Sequence, residues 1–192
     1  MSITTRSGDT GETGILFGHR LRKDDLRVHT TGALDELDAG LGLARALFMR
    51  FQADHLVDCP DHSTDLSTID QTQRDLVALM GQINTLPEDW ERYRASGYEV
   101  LTRAGVDRLE TVIGSLESSL PSQKHWTIPG AAGDPAAAAL EVARTVCRRA
   151  ERHVLSLLPE IAGAPDDFHG LIYLNRLSDC LWLLARRWEL PD

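Results

Sequence analysis

The sequence predicts an all-α fold, a five-helix antiparallel bundle in a single domain over residues 1–192, preceded by an irregular glycine-rich arm. Three observations carry that prediction. Five segments repeat apolar residues at alternating spacings of three and four, which puts each set on one side of a helix. Period-two alternation, the mark of half-buried strands, is scarce. Residues 2–29 lack helical periodicity and instead space Gly8, Gly11 and Gly14 among Thr5, Ser7, Thr10 and Thr13. Five amphipathic stripes need mutual partners, and an antiparallel bundle with shallow crossing angles supplies them.

Taken in order, the arm spans 1–29 and reads as extended or looped chain turned at its glycines. The first stripe is Leu34, Leu37, Leu41, Ala44, Phe48, Phe51. Residues 54–66 read as a polar loop, with Ser67 or Thr68 as cap of the second helix. That helix carries Ile69, Gln73, Leu76, Met80, Ile83, with one polar member. Residues 87–101 read as a second connection, packed on the bundle by Trp90, Tyr93 and Tyr98. The third stripe is Val106, Leu109, Ile113, Leu116, Leu120. Residues 121–138 are rich in Pro, Gly and Ala, which excludes a continuous helix. The fourth stripe is Ala143, Cys147, Ala150, Val154, Leu157, closed by Pro159 to Pro165. The fifth is Leu174, Leu177, Leu181, Leu184, Trp188.

Composition bounds the function. A chain of 192 residues that is 42% apolar buries a real core. The net charge of -9 argues against a nucleic-acid partner while leaving room for a small basic pocket. No apolar run reaches membrane-spanning length, so no membrane partner is expected. Cys59, Cys147 and Cys180 are few and odd in number, which suits a reduced cytoplasm.

Four stretches carry chemistry. The first is G-x-x-G-x-x-G over Gly8, Gly11 and Gly14, followed by Lys23. Backbone N–H groups and hydroxyls there suit a phosphate chain, and Lys23 offers a point charge. A tail with two turns fits the same composition. The second is ARTVCRRAERHV, with Arg144, Arg148 and Arg152 on one flank and Arg149 offset by one position. Four arginines within nine residues of an acidic protein need carboxylates or an anion between them. A polyphosphate clamp and a solvated face paired to Asp35, Glu36 and Asp38 both answer to that. The third is the acidic turn of Asp35, Glu36 and Asp38, which complements the helix dipole or pairs with an arginine across an interface. The fourth is YLNRLSDCLWLLARR, where Asn175 and Asp179 share a helix face beside Arg176. Asparagine costs helix propensity, so it is either exposed or bonded to something specific.

Other chemistries lack their residues. No histidine has Glu three positions before it, as di-iron bundles require. H-E-x-x-H and G-x-S-x-G are absent, and Cys59 with His62 is half a zinc site at most.

Together these stretches resemble the PduO-type ATP:cob(I)alamin adenosyltransferases. TRSGDTGETG with KDDLRV is similar to the family's N-terminal loop and its lysine. GALDELDAGLG is similar to its V-D-E-L-N-A stretch, and VARTVCRRAERHV with YLNRLSDCLWLLAR to its two C-terminal signature helices. The resemblance implies a five-helix bundle assembled as a homotrimer, with active sites between subunits. It implies transfer of the 5′-deoxyadenosyl group of ATP to cob(I)alamin with Mg²⁺ present. It places ATP on the arm of one subunit, at Thr5, Arg6, Ser7, Gly8, Thr13, Gly14 and Lys23. Arg148, Arg149, Glu151, Arg152 and Asn175 of the neighbour would complete that site, with Arg148 catalytic. Asp35 and Arg144 match a salt bridge between subunits near the cobalamin.

There are departures. Trp126 stands where the family often has Phe before I-L-P-G-G, in a segment about two residues longer than expected up to Arg144. Asp38 replaces the usual Asn. The connections at 54–66 and 87–101 would reshape the corrin pocket and leave the ATP site untouched. A non-catalytic ATP or cobalamin carrier and a helical interaction protein are the rival functions of such a fold.

Overall fold

A computed structural model of the chain describes residues 4, 6–55, 63–122, 126–161 and 168–189. Thr5, Cys59, His62 and Pro165 lie outside the described residues. Two short strands, β1 (Glu12–Gly14) and β2 (Arg20–Arg22), pair antiparallel. Among the described residues six α-helices follow: α1 (Leu26–His55), α2 (Ser63–Ile83), α3 (Trp90–Ala95), α4 (Arg103–Ser119), α5 (Pro135–Ile161) and α6 (Gly170–Trp188). Among the described residues no helix is long and apolar enough to cross a membrane.

Helix α5 sits between α1 and α6. Its buried face is built from Ala136, Ala137, Ala143, Cys147, Ala150 and Val154, small side chains that let neighbours approach. Gly40 of α1 sits so close that a Cβ there would lie 3.5 Å from the Ala143 Cβ. The start of α5 is set by Asp134, whose carboxylate accepts the Ala137 N–H at 2.6 Å, with Pro135 in the first turn. Side-chain pairs fix the directions. Arg149 of α5 meets Glu36 of α1, and His153 stacks on His29, so α1 and α5 are antiparallel. Asn175 bonds Glu151 and Arg186 bonds Glu141, so α5 and α6 are antiparallel too.

Both ends of the bundle are closed by polar groups with partners. Buried Arg27 of α1 donates to the Ile83 and Thr85 carbonyls just past α2. At the opposite end the Trp188 ring stacks 4.2 Å from Phe48 and donates its indole N–H to buried Asp65 at 3.0 Å.

The five stripes mark α1, α2, α4, α5 and α6, and four expectations need correction. The described residues hold six α-helices, because the 87–101 connection contains α3. Six residues are too few to show a period, yet Trp90 and Tyr93 are buried. The arm is ordered as a hairpin instead of being irregular, and α1 begins at Leu26, ahead of the expected boundary at 30. Asp25 caps it, accepting the Arg27 N–H at 2.8 Å. Helix α2 begins by Ser63, so Ser67 and Thr68 lie inside it and bond back to the Thr64 carbonyl instead of capping.

The hairpin turn is strained at one point. Phe17 has φ of 60° and ψ of 16°, a left-handed conformation that costs a non-glycine residue about 1–2 kcal/mol. Gly18, at φ of 89°, takes the next such position without a Cβ.

Tyr93 anchors α3 to α2 at Gly81, where a Cβ would lie 2.5 Å from the phenol oxygen. Gly81→Ala should therefore destabilise the protein by about 1–3 kcal/mol, outweighing the propensity gain of about 1 kcal/mol. In a Tyr93→Phe background the same change should be neutral or stabilising. Denaturant unfolding of the four proteins of that cycle measures it.

Candidate active site

The arm is a folded cradle. Overlapping turns run from Arg6 to Gly11, with the Asp9 N–H on the Arg6 carbonyl and the Gly11 N–H on the Gly8 carbonyl, both at 3.3 Å. Thr13 and Gly14 lie in β1 opposite Leu21 and Arg20. Arg20 ties the strand back to the Ser7 carbonyl at 2.7 Å. Lys23 donates its backbone N–H to Gly11 at 2.8 Å, and its ammonium lies 3.1 Å from the position a Gly8 Cβ would take. Glycine at position 8 thus leaves room for that cation. The structure brings Arg6, Ser7, Gly8, Thr13, Gly14 and Lys23 into this one element.

A cleft of about 680 Å³ opens between α4, α5 and α6. Helix α5 contributes Arg148, Glu151 and Arg152, and α6 contributes Asn175. The i, i+4 spacing of Arg148 and Arg152 stacks them on one flank, where Arg152 donates to the Arg148 carbonyl at 2.8 Å. Asn175 is oriented from both sides. Its Nδ2 donates to Glu151 at 3.2 Å, and its Oδ1 accepts from Arg176 at 2.9 Å. Arg176 in turn donates to Glu110 of α4 at 3.1 Å. Glu110 was missed in the sequence because only the α4–α6 contact brings it to the cleft.

A second recess of about 340 Å³ adjoins the first, and Arg148 lines both. It is walled by Trp126, Arg144, Asp179 and Trp182. Trp126 is 87% exposed, an indole held open to solvent. Glu141 is buried between Arg144, 2.7 Å away, and Arg186, 2.8 Å away. Trp182, off its helix's apolar stripe, had no sequence signal of its own.

The four arginines of α5 therefore fare differently. Arg144 is taken by Glu141, Arg149 by Glu36, and Arg152 by a backbone carbonyl. The Arg148 side chain has no acceptor among the described residues. Arg149 lies on the α1 flank, outside the cleft, and Asp35 is exposed on α1. No described residue of the arm lines either recess within one chain.

Comparison with known proteins gives these features a context. A family model described as cobalamin adenosyltransferase matches residues 3–188. The chain is 35% identical over 188 residues to a corrinoid adenosyltransferase of Bacillus subtilis, covering 97% of this chain and 86% of that one. It is 35% identical over 185 residues to a corrinoid adenosyltransferase of Mycobacterium leprae, covering 96% and 89%. Among solved structures, a variant PduO-type ATP:corrinoid adenosyltransferase from Lactobacillus reuteri, complexed with cobalamin and ATP, superposes with a TM-score of 0.76. Its sequence is 28% identical, and the match covers 96% of this chain and 89% of that one.

The arginine flank also leaves a titration signature. Burial first, then His29, Arg149 and Arg152, push His153 below its ordinary value near 6.5. A histidine lowered on folding contributes stability that is full above its unfolded value and lost as pH falls. The unfolding midpoint should therefore drop between about pH 7 and about pH 5.5. His153→Gln should flatten that dependence, as thermal melts across the range would read.

Proposed function

The chain belongs to the cobalamin adenosyltransferase family, and from that premise we propose that it transfers the 5′-deoxyadenosyl group of ATP to cob(I)alamin. The cobalt(I) electron pair forms the Co–C5′ bond, the C5′–O5′ bond breaks, and its electrons leave with triphosphate. Such a nucleophile needs no general base. The protein's work is to hold C5′ in line with cobalt and to stabilise the charge growing on the leaving group.

One observation carries the reading: Arg148, a guanidinium without a protein acceptor among the described residues, forms the wall shared by the cleft and the Trp126 recess. The triphosphate would lie in the cleft against Arg148 and Arg152, with Glu151 and Asn175 fixing the nucleotide. Cobalamin would lie in the recess, where Trp126 presents an apolar face that favours cobalt without its lower ligand. Arg148 would then stand between the reacting groups and take the departing charge.

The arm completes the site from a neighbouring subunit of a homotrimer. The residues before α1, 1–25, serve as its nucleotide-binding arm and 26–192 as the bundle of the same domain. Thr5, Arg6, Ser7, Gly8, Thr13, Gly14 and Lys23 would wrap the phosphates with amides, hydroxyls and one ammonium. Arg149 would leave its exposed partner Glu36 for that polyanion, since such pairs are weak. Arg144 uses Nε on Glu141, so its terminal nitrogens can meet Asp35 of the adjacent subunit. Mg²⁺ would be held mainly by triphosphate oxygens and water, with Glu151 the nearby carboxylate. When bound it neutralises charge on the leaving group. The buried thiols Cys147 and Cys180 accord with a cytoplasmic location.

Anaerobic incubation with ATP, Mg²⁺ and chemically reduced cobalamin should yield the light-sensitive alkylcobalt spectrum. Arg148→Ala should lower kcat by about 10²–10³. Unchanged turnover would remove Arg148 from its catalytic role, and absence of any alkylcobalt product from the unaltered protein would leave a carrier.

A further inference from the structure

The hairpin that would hold ATP is anchored to the segment around α3, from Asp89 before the helix to Tyr98 after it, which carries none of the site residues. Three contacts make that joint. His19, just before β2, donates to Asp89 Oδ2 at 2.6 Å, and the Asp89 side chain is largely buried. The Arg92 guanidinium lies 4.5 Å over the Phe17 ring. Tyr98 meets the same ring edge-on, with centroids 6.4 Å apart. Behind them Tyr98 stacks on Tyr93 at 5.2 Å, and Tyr93 abuts Gly81 of α2. Phe17 sits at the turn and holds a left-handed backbone conformation that a phenylalanine does not choose freely. Its ring would not be aimed at α3 if the turn relaxed. A strained residue kept in place by its surroundings marks a point where position matters.

We propose that α3 with its flanking residues is the docking platform of the nucleotide arm, and that Asp89, Arg92 and Tyr98 set the affinity for ATP by holding the Phe17 turn without touching the nucleotide. The inference rests on the arm being the ATP-binding element, as proposed above. It corrects the expectation that the 87–101 connection leaves the ATP site untouched. Pre-ordering the arm lowers the conformational cost that ATP would otherwise meet on binding. The three are positioning residues, so their loss should raise KM for ATP and leave kcat alone.

The test uses the full chain and three variants, Phe17→Gly, Arg92→Ala and Asp89→Ala. Phe17→Gly removes the ring and relieves the backbone, so the strain released should offset part of the lost contacts and the bundle should melt within a few degrees of the unaltered protein. A merely structural role predicts no kinetic change from it. The docking role predicts faster tryptic cleavage at Arg20, Arg22 and Lys23 without ATP. It also predicts KM for ATP up by about tenfold, with kcat and KM for cobalamin within about twofold. His19→Ala combined with Asp89→Ala should be no worse than either alone. Unchanged cleavage in all three variants overturns the docking, and faster cleavage with unchanged KM for ATP overturns its link to the nucleotide. Failure of the underlying reading looks different: the unaltered protein would make no alkylcobalt product, and Mg-ATP would not protect its arm.

Discussion

The close approach of α5 to α1 and α6 is the constraint on which the rest of the molecule depends. Alanines on the buried face of α5, met by Gly40 on α1, bring the helices together over most of their length. Contact that tight fixes the rotation of α5 about its own axis. Once rotation is fixed, every fourth residue on its outer flank has a determined direction. Arg148 faces the cleft, and Arg149, one residue on, faces α1. The directions of these side chains are thus set by the packing of the core, in which the Glu141–Arg186 pair and the Cys147 thiol on the Leu174 carbonyl are buried polar contacts between α5 and α6.

Charge neutralisation then selects among the cations. A row of guanidiniums on one helix is repulsive, and the protein resolves this unevenly. Glu141, itself buried and shared with Arg186, holds Arg144. Removing the Glu141 carboxylate would leave Arg186 buried beside Glu189 alone, a costly state for a charge. Glu36 holds Arg149 in an exposed pair of little strength. On the arm, Arg20 pairs with Glu12 and Arg22 with Asp24. Lys23 and Arg148 share one property: neither meets a carboxylate among the described residues. Their positive charge would be available to the proposed triphosphate.

Much of this was legible in the sequence because helices write their packing at a period of 3.6. The stripes at Leu34 to Phe51 and Leu174 to Trp188 locate α1 and α6, and the arginine spacing marks the cleft flank. Elements too short for a period were not legible. β1 and β2 have three residues each, and α3 has six. Contacts made by topology were also hidden. Asp65 reads as part of a polar loop, yet it is buried against Trp188, 123 positions away. Glu110 reads as an ordinary helix-surface residue until α4 is laid beside α6. Which arginine goes unpaired depends on such partners, so the row could be seen, and that Arg148 has no acceptor among the described residues could not.

The arm and the cleft occupy different surfaces of one chain, and this bears on how the site is assembled. The arm offers amides, hydroxyls and Lys23, and the cleft offers Arg148 and Arg152. Neither set alone matches the charge of a triphosphate. A single copy could unite them only by swinging the arm off α3, breaking the His19–Asp89 pair and the ring contacts of Phe17. In the proposed shared site, a second copy would supply the missing half with both elements left where they are. Keeping the arm docked and sharing the site between copies would leave the His19–Asp89 pair and the Phe17 ring contacts intact. Under that proposal the strained turn at Phe17 would have a physical sense, since an arm reaching a neighbour would have to be held rigid at its root.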